Sequence, residues 1–470
     1  MTIKHGQTLA SLLLALCLLG SGCGREGGAA PDAQTAQEAD EAVNTADNTQ
    51  TNESENESEG EENMENLETA PDLDSMTTLE RAAYLEGELW GAYSLAQRED
   101  EARIAEDKAK AIEYGGVTMK YGMKIVGEPD ANGLYPLYIA LHGGGSDPTG
   151  EINNDQWRQM ATYYLGGVRN GVYVNPRAVR DTWDCHSNPE SYVCYDRLIE
   201  NMILFHSVDP DRVYILGFSA GGDGVYQITP RMADRFAAAN MSAGHPNGVL
   251  LESLYNMPLQ LQVGINDDAY GRNKMTAQYD IVLGKLHDKY GGGYEHRTNI
   301  HLGHAHNFAD YDDLKHEIVE DVRAYFRTGD DTSVKVQTSA LRFLDSYTRD
   351  PLPETVVWNL GVRAKMRSVE SFYWLSAPQT VTKGIVTARA DREANRIEIT
   401  TDGSVDGDIS ILLSARMFDF DRPITVVYDG EAREFTPEID EEVMKETVAE
   451  RGDPSYIFED RVSISELFGN

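Results

Sequence analysis

Residues 217–221 read Gly-Phe-Ser-Ala-Gly, a serine between glycines directly after an apolar run. A serine hydroxyl is a weak nucleophile until a neighbouring base takes its proton. The pattern G-x-S-x-G suits such a hydroxyl because the strand must turn sharply into a helix. The serine then stands proud in a strained conformation, and small neighbours are needed where backbones crowd. In a chain of 470 residues the pattern alone is weak. Its placement says more, since a strand pattern precedes Ser219 and a helical pattern runs from 220 to 232. A glycine-rich strand–helix turn without chemistry is the alternative.

A second glycine cluster ends an earlier strand pattern, with Ile-Ala-Leu-His-Gly-Gly-Gly at 139–145. Acyl transfer develops negative charge on a carbonyl oxygen, and backbone N–H groups must be in place to receive it. Glycines let the chain come close enough. The expected donors are the amide of Ala220 and one from Gly143 or Gly144. A phosphate cradle is the rival reading, but no Lys-Ser/Thr follows and the glycines lack dinucleotide spacing.

Such a serine needs an acid and a histidine, in the chain order Ser, Asp, His. Asp267 follows the strand pattern at 259–264 and is the expected acid, with Asp268 the alternative. Either could instead cap the helix that begins near residue 273. His306 is the expected base and His304 the reserve. With His301 they make three histidines in six residues, which also raises metal binding. No Cys or HExxH partner accompanies them, and no metal or organic cofactor is expected. Trp183 and His186, in the loop after the strand pattern at 171–176, are candidate pocket residues. Asp223 would line the same pocket or sit in the first helical turn, where negative charge is favoured.

The elements that must position these residues alternate. Strand patterns at 135–142, 171–176, 212–218, 236–242, 259–264 and 297–303 are separated by helical ones, notably 195–205, 275–290 and 313–326. Alternation of this kind implies an α/β fold, a mostly parallel sheet with helices on both faces. A capping box, Thr77 to Glu80, opens a helical segment over 76–114. The catalytic domain is expected over 115–330. From 331 to 470 short strands spaced by turn signals predict a small, mainly antiparallel β domain, with Asp429-Gly430 a hairpin turn.

The formal charge is −37, from 41 basic and 78 acidic residues. This balance argues against nucleic-acid binding and against adhesion to anionic lipid. Part of the excess lies in residues 23–75, an acidic segment poor in aromatic and branched residues that is expected to be a disordered linker. Before it, a short basic start and an apolar run of about a dozen residues read as a signal peptide over 1–22. Its end, Leu-Gly-Ser-Gly-Cys, resembles a bacterial lipobox, with Cys23 the lipidated residue and Gly20 where leucine is usual. The expectation is an extracytoplasmic protein tethered to a bacterial membrane. Cys185 and Cys194 would then face an oxidising space, where a disulfide or two buried thiols are the two possibilities.

Together and in order, "PLYIALHGGG", "GVYVNPRAVRDTW", "DPDRVYILGFSAGGDGVYQ", "RMADRFAAANMSAGHPN", "VGINDDAYGRNK" and "YEHRTNIHLGHAHN" resemble the α/β-hydrolase superfamily. They are most similar to its polyhydroxybutyrate-depolymerase-like and feruloyl-esterase-like carboxylic ester hydrolases, over roughly 117–326. The resemblance implies an acid three residues after the glycine of "VG", which is Asp267, and a histidine three after the next strand's glycine, which is His306. Ala305-His306-Asn307 departs from the family's usual Gly-His pattern, so His304 stays open. The implied function is hydrolysis of a carboxylic ester by Ser219, His306 and Asp267 through an acyl-enzyme. A serine peptidase on this scaffold, a non-catalytic tethered binding protein and a wall-binding β tail are the alternatives. Polyester, acylated polysaccharide and small esters all remain possible substrates.

Overall fold

The protein, analysed as a computed structural model, is described over residues 72–469 except 331. The expected signal peptide, Cys23 and most of the acidic linker lie outside the described residues. Pro71–Asn470 form one compact unit.

Helix α1 (Thr78–Glu99) opens on the expected capping box, with Thr77 N–H donating to the Glu80 carboxylate at 2.9 Å. The single helical segment expected here is in fact two helices and a strand. The Asp100 side chain accepts from Arg103 N–H and starts α2 (Glu101–Ala109), which ends at Lys110 with φ 51°. Short polar side chains that bond nearby main chain interrupt helices in this way. Strand β1 (Ala111–Tyr114) follows.

The main sheet is built from β2 (Val117–Val126), β3 (Tyr135–Leu141), β4 (Gly171–Pro176), β5 (Val208–Phe218), β6 (Ala238–Ser242), β7 (Leu259–Gly264) and β8 (His296–His301). Between them run α3 (Glu151–Tyr163), α4 (Pro189–His206), α5 (Ala220–Met232) and α6 (Arg272–Tyr290). With β1 the spatial order is β1-β2-β4-β3-β5-β6-β7-β8, antiparallel at β2–β4 and parallel from β4 to β8. This is the α/β arrangement that the alternation of strand and helix patterns implied. Every residue of β4, β6 and β7 is buried, as expected of parallel strands covered on both faces.

The expected helix at 313–326 is only half present. Lys315–Val319 form β9, which extends the sheet, and α7 (Val322–Thr328) is short. Residues 315–319 read Lys-His-Glu-Ile-Val, polar at the exposed start and apolar where Ile318 and Val319 are buried. Strand β10 (Ser333–Gln337) pairs antiparallel with β9. The domain boundary expected at 330 therefore falls inside one sheet. Helix α8 (Ala340–Leu344) packs Leu341, Phe343 and Leu344 onto Tyr138 and Tyr214 of that sheet's core.

The remaining elements are β11 (Thr355–Asn359), α9 (Leu360–Arg363), β12 (Ser371–Phe372), β13 (Leu375–Ser376), β14 (Ile385–Asp391), β15 (Arg396–Asp402), β16 (Ser410–Leu413), β17 (Ile424–Tyr428), β18 (Glu431–Phe435), α10 (Glu441–Arg451), β19 (Asp460–Ser463) and α11 (Ile464–Phe468). They make a five-stranded and a four-stranded sheet, antiparallel apart from the β15–β17 pair. Asp429 and Gly430 turn between β17 and β18 with φ 46° and 90°. These sheets share one continuous core with the large sheet, from Ile139 and Ile215 to Trp358, Phe372 and Ile397.

Buried charges lock the two parts together. Asp234, after α5, accepts from Arg367 at 3.0 Å and Arg451 at 2.5 Å. Asp453 takes Arg349 at 2.9 Å and Arg235 at 3.1 Å, while Arg349 also reaches Asp211 in β5. Burial alone would raise the carboxyls of Asp234 and Asp453, but the surrounding arginines outweigh it and hold both below the ordinary value. Removing one partner leaves an uncompensated charge in a dry interior. Asp234→Ala is expected to cost about 3–5 kcal/mol in urea unfolding. A loss under about 1 kcal/mol would show that the network does not hold the two parts together.

Candidate active site

Ser219 ends β5 at the carboxyl edge of the sheet, with φ 58° and ψ −121°, a region that L residues rarely enter. The crowding around it explains its glycine neighbours. A methyl group on Gly217 would run into the Gly221 carbonyl, and one on Gly221 into that of Leu141. One on Gly222 would strike Ser242 O and Gly244. Ser219 N–H donates to Ser242 O at 2.9 Å, tying the turn to β6.

Three side chains meet here. His306 Nε2 lies 3.0 Å from Ser219 Oγ, and His306 Nδ1 lies 2.8 Å from Asp267 Oδ2. A carboxylate can only accept, so Nδ1 carries the proton and Nε2 accepts from the serine hydroxyl. Asp267 is buried and its other oxygen faces Arg272 at 3.4 Å. Asp268 is exposed and makes no bond to either histidine. His304 has Nδ1 3.3 Å from Asn307 O and is not bonded to Ser219. His301 is buried in β8 on Gln262, so the three histidines do not converge. Among the described residues no three His, Cys, Asp or Glu side chains form a metal set.

The glycine loop approaches from the other side. A Cβ on Gly143 would lie 3.3 Å from Ser219 Cβ. Gly145 N–H is consumed by Asn153 Oδ1 at 2.8 Å, whereas no protein partner is found among the described residues for the amides of Gly143, Gly144 or Ala220. Ala220 is the first residue of α5, where helix N–H groups are unpaired.

His142 and His186 hold that loop. His142 Nδ1 donates to Gly143 O at 2.5 Å and its Nε2 accepts from Ala178 N–H at 3.0 Å. His186 Nε2 donates to His142 O at 2.9 Å, and its Nδ1 accepts from Tyr195 O–H at 3.2 Å. His186 was expected as a pocket residue; its edge does reach a cavity wall, but both ring nitrogens are spent inside the protein. Trp183 stands at the same cavity, 61% exposed, with its ring over Gly145. Of the two possibilities left open for Cys185 and Cys194, the structure has the thiols rather than the disulfide. Both thiols are free and buried, Cys185 beside Ala178 and Ala220, Cys194 in the main core. Burial pushes each thiol up to about 12.

The sequence reading missed a polar layer in the sheet. Asn240 and Ser242, Gln260 and Gln262, and Asn299 and His301 are all buried. Gln262 donates to Asn240 at 3.0 Å, Asn240 donates to Ser242 Oγ at 3.0 Å, and Ser242 Oγ donates to Asp310 at 2.5 Å. Asp310 also accepts from Tyr164 at 2.7 Å and Tyr163 at 3.0 Å. The chain of bonds joins the serine turn to the His306 loop. Its signal was present in β6 and β7, where polar residues stand two apart in otherwise apolar strands, but not in β8, which is polar along most of its length.

The cleft holding Ser219 and His306 is about 770 Å³, walled by Met160, Tyr163, Phe218 and Phe308. No family model matches the chain. A bifunctional acetylxylan esterase/xylanase of Neocallimastix patriciarum is 28% identical over 135 residues, 28% of this chain and 19% of that protein. A protein named "Probable feruloyl esterase C" of Aspergillus niger is 25% identical over 128 residues, 27% of this chain and 46% of that protein. The chain thus spans less than half the length of either relative. A solved thermostable esterase aligns at TM-score 0.34 with 17% identity, covering 51% of this chain and 62% of that one.

Burial drives the imidazole of His186 down to about 4, and that of His142 well below its ordinary value. In the unfolded chain both take up a proton near pH 6.5. Their contribution to stability is therefore complete above pH 6.5 and is lost as the pH falls through the folded value. Unfolding free energy is expected to drop between pH 6.5 and 4, by about 3 kcal/mol from His186 alone, with a shallower slope in His186→Asn. A flat profile would mean that these rings are not neutral in the fold. Over a little more than a quarter of its length the chain is similar to esterases, and its large, mostly parallel sheet with helices between the strands is an α/β fold.

Proposed function

We propose that the protein is a serine carboxylic ester hydrolase working through an acyl-enzyme. The observation that carries this reading is the unbroken line from Asp267 through His306 to Ser219, at 2.8 and 3.0 Å. Ser219 Oγ attacks the ester carbonyl while His306 Nε2 takes its proton. Asp267 fixes the tautomer and offsets the imidazolium charge. The amides of Ala220 and Gly143 or Gly144 receive the oxyanion. His306 then protonates the leaving alcohol, and a water repeats the sequence to release the acid. The names of the relatives point to acylated polysaccharide as the substrate class. The N-terminal sequence supports an extracytoplasmic enzyme tethered through a lipid on Cys23.

Ser219→Ala is expected to lower kcat on p-nitrophenyl acetate by about 10⁴-fold or more with the circular-dichroism spectrum unchanged. Fluorophosphonate should label the wild type and not this variant. Full activity in Ser219→Ala would remove the assignment. Cys23→Ala should move the protein from the membrane fraction to the soluble one, and retention in the membrane would refute the tether.

A further inference from the structure

A second cavity, of about 650 Å³, opens beside Ala220, the residue after the serine. Its walls include Trp183, Asp223, Asn247, Tyr270, Arg272 and Met366. Five of these come from the hydrolase sheet and its loops. Met366 comes from the chain after α9, in the C-terminal region.

The rim and the floor differ in chemistry. Trp183 and Tyr270 stand at the mouth, 61% and 70% exposed, with ring centroids 6.3 Å apart at 62°. Large aromatic rings so exposed offer flat apolar faces to a ligand. The floor is polar. Asp223 takes His245 N–H at 2.6 Å through one oxygen, while the nearest donor to the other, Asn247 Nδ2, is at 3.5 Å. Arg272 lies 5.0 Å over the Tyr270 ring; one terminal nitrogen is 3.4 Å from Asp267 and from Ala269 O, and its buried Nε has no partner among the described residues. An aliphatic or plain aromatic group entering here would strip water from Asp223 and Arg272 and return no hydrogen bond, which is costly. A ligand bearing several hydroxyls would replace that water and still lay its C–H face on the rings.

The walls are also held in unfavourable backbone conformations. Tyr270 has φ 57°, and Lys365, immediately before Met366, has φ 65°. Strain of this kind persists only where the surroundings impose it. Around Met366 they do. Arg363 donates to Ala377, Pro378 and Val381 carbonyls, Arg367 is paired with Asp196 and Asp234, and Arg231 Nε donates to Val362 O at 2.9 Å. The loop is bolted to α4, to the end of α5 and to the C-terminal sheets at once.

We propose that this cavity is the subsite for a polyhydroxylated, glycosyl part of the substrate, and that the C-terminal region sets its size through Met366. The proposal rests on the ester-hydrolase reading and adds a location, a set of specificity residues and a role for the C-terminal region.

The test has two arms on the full chain. In the first, xylotetraose is titrated into the Ser219→Ala protein and followed by calorimetry. Binding is expected, weakened tenfold or more by Asp223→Asn and by Met366→Trp, each checked for an unchanged thermal midpoint. No binding, or binding indifferent to both substitutions, overturns the proposal, as does tighter binding of hexanoate than of the sugar. In the second arm, kcat/KM is measured for acetylated xylotetraose and for p-nitrophenyl acetate. Met366→Trp should lower the ratio of the two at least tenfold, and a ratio within twofold of wild type overturns the proposal. Fluorophosphonate labelling separates the failures. Labelling of Ser219 without sugar binding sinks the subsite alone, and absence of labelling sinks the hydrolase reading while the binding arm still decides the subsite.

Discussion

The close approach of backbones at the serine turn is the constraint on which the site depends. Ser219 at φ 58° and ψ −121° can be held only if β5, α5, β3 and β6 come together almost without side chains between them. Gly217, Gly221 and Gly222 exist for that contact. The strain is supported by Ser219 N–H bonding to Ser242 O and by an apolar sheet whose strands cannot shift singly in a close-packed core. The same approach brings Gly143 against the serine. One packing requirement therefore sets both the exposed hydroxyl and the amides facing it.

Neutral buried histidines and a polar layer extend that constraint outward. His142 bonds one glycine carbonyl of the loop, and His186 bonds the carbonyl of His142. Because both rings are uncharged, each acts as one donor and one acceptor with a defined tautomer. Behind them Gln262, Asn240, Ser242 and Asp310 connect the serine turn to the loop carrying His306. Buried polar groups cost stability unless each finds a partner, so a satisfied chain of them restricts how the two loops can move. In the proposed mechanism that restriction keeps nucleophile and base in register.

The C-terminal region is not an appendage. Strand β10 and α8 belong to the large sheet and its core, and the Arg–Asp network joins the later sheets to α4, β5 and the end of α5. Such a network gains little over apolar packing in stability. Its geometric demands are strict, however, and they place the loop that carries Met366 beside the second cavity. Asp223 and Arg272 in that cavity stand with two exposed rings, Trp183 and Tyr270.

Much of this was legible in the sequence, because its signals are local. Apolar runs marked β3 to β8 within a few residues, the capping box marked α1, and glycine around Ser219 marked the turn. Where local signals compete, reading along the chain failed. Asp100 broke a helix that periodicity alone continued, and residues 315–319 became a strand because β8 and β10 were there to pair with. Two cysteines nine apart in sequence left a bridge or two thiols open, and the fold decides for thiols by packing one near the serine turn and the other in the core. Position after the strands, with the resemblance, named Asp267 and His306 as acid and base but kept Asp268 and His304 open, because spacing does not say which ring reaches the serine. Sequence alone determined which residue types and turns the chain carries, since those depend on neighbours in the chain. Only the tertiary structure decided which side chains meet, because hydrogen bonds reach about 3 Å and the partners lie dozens of residues apart.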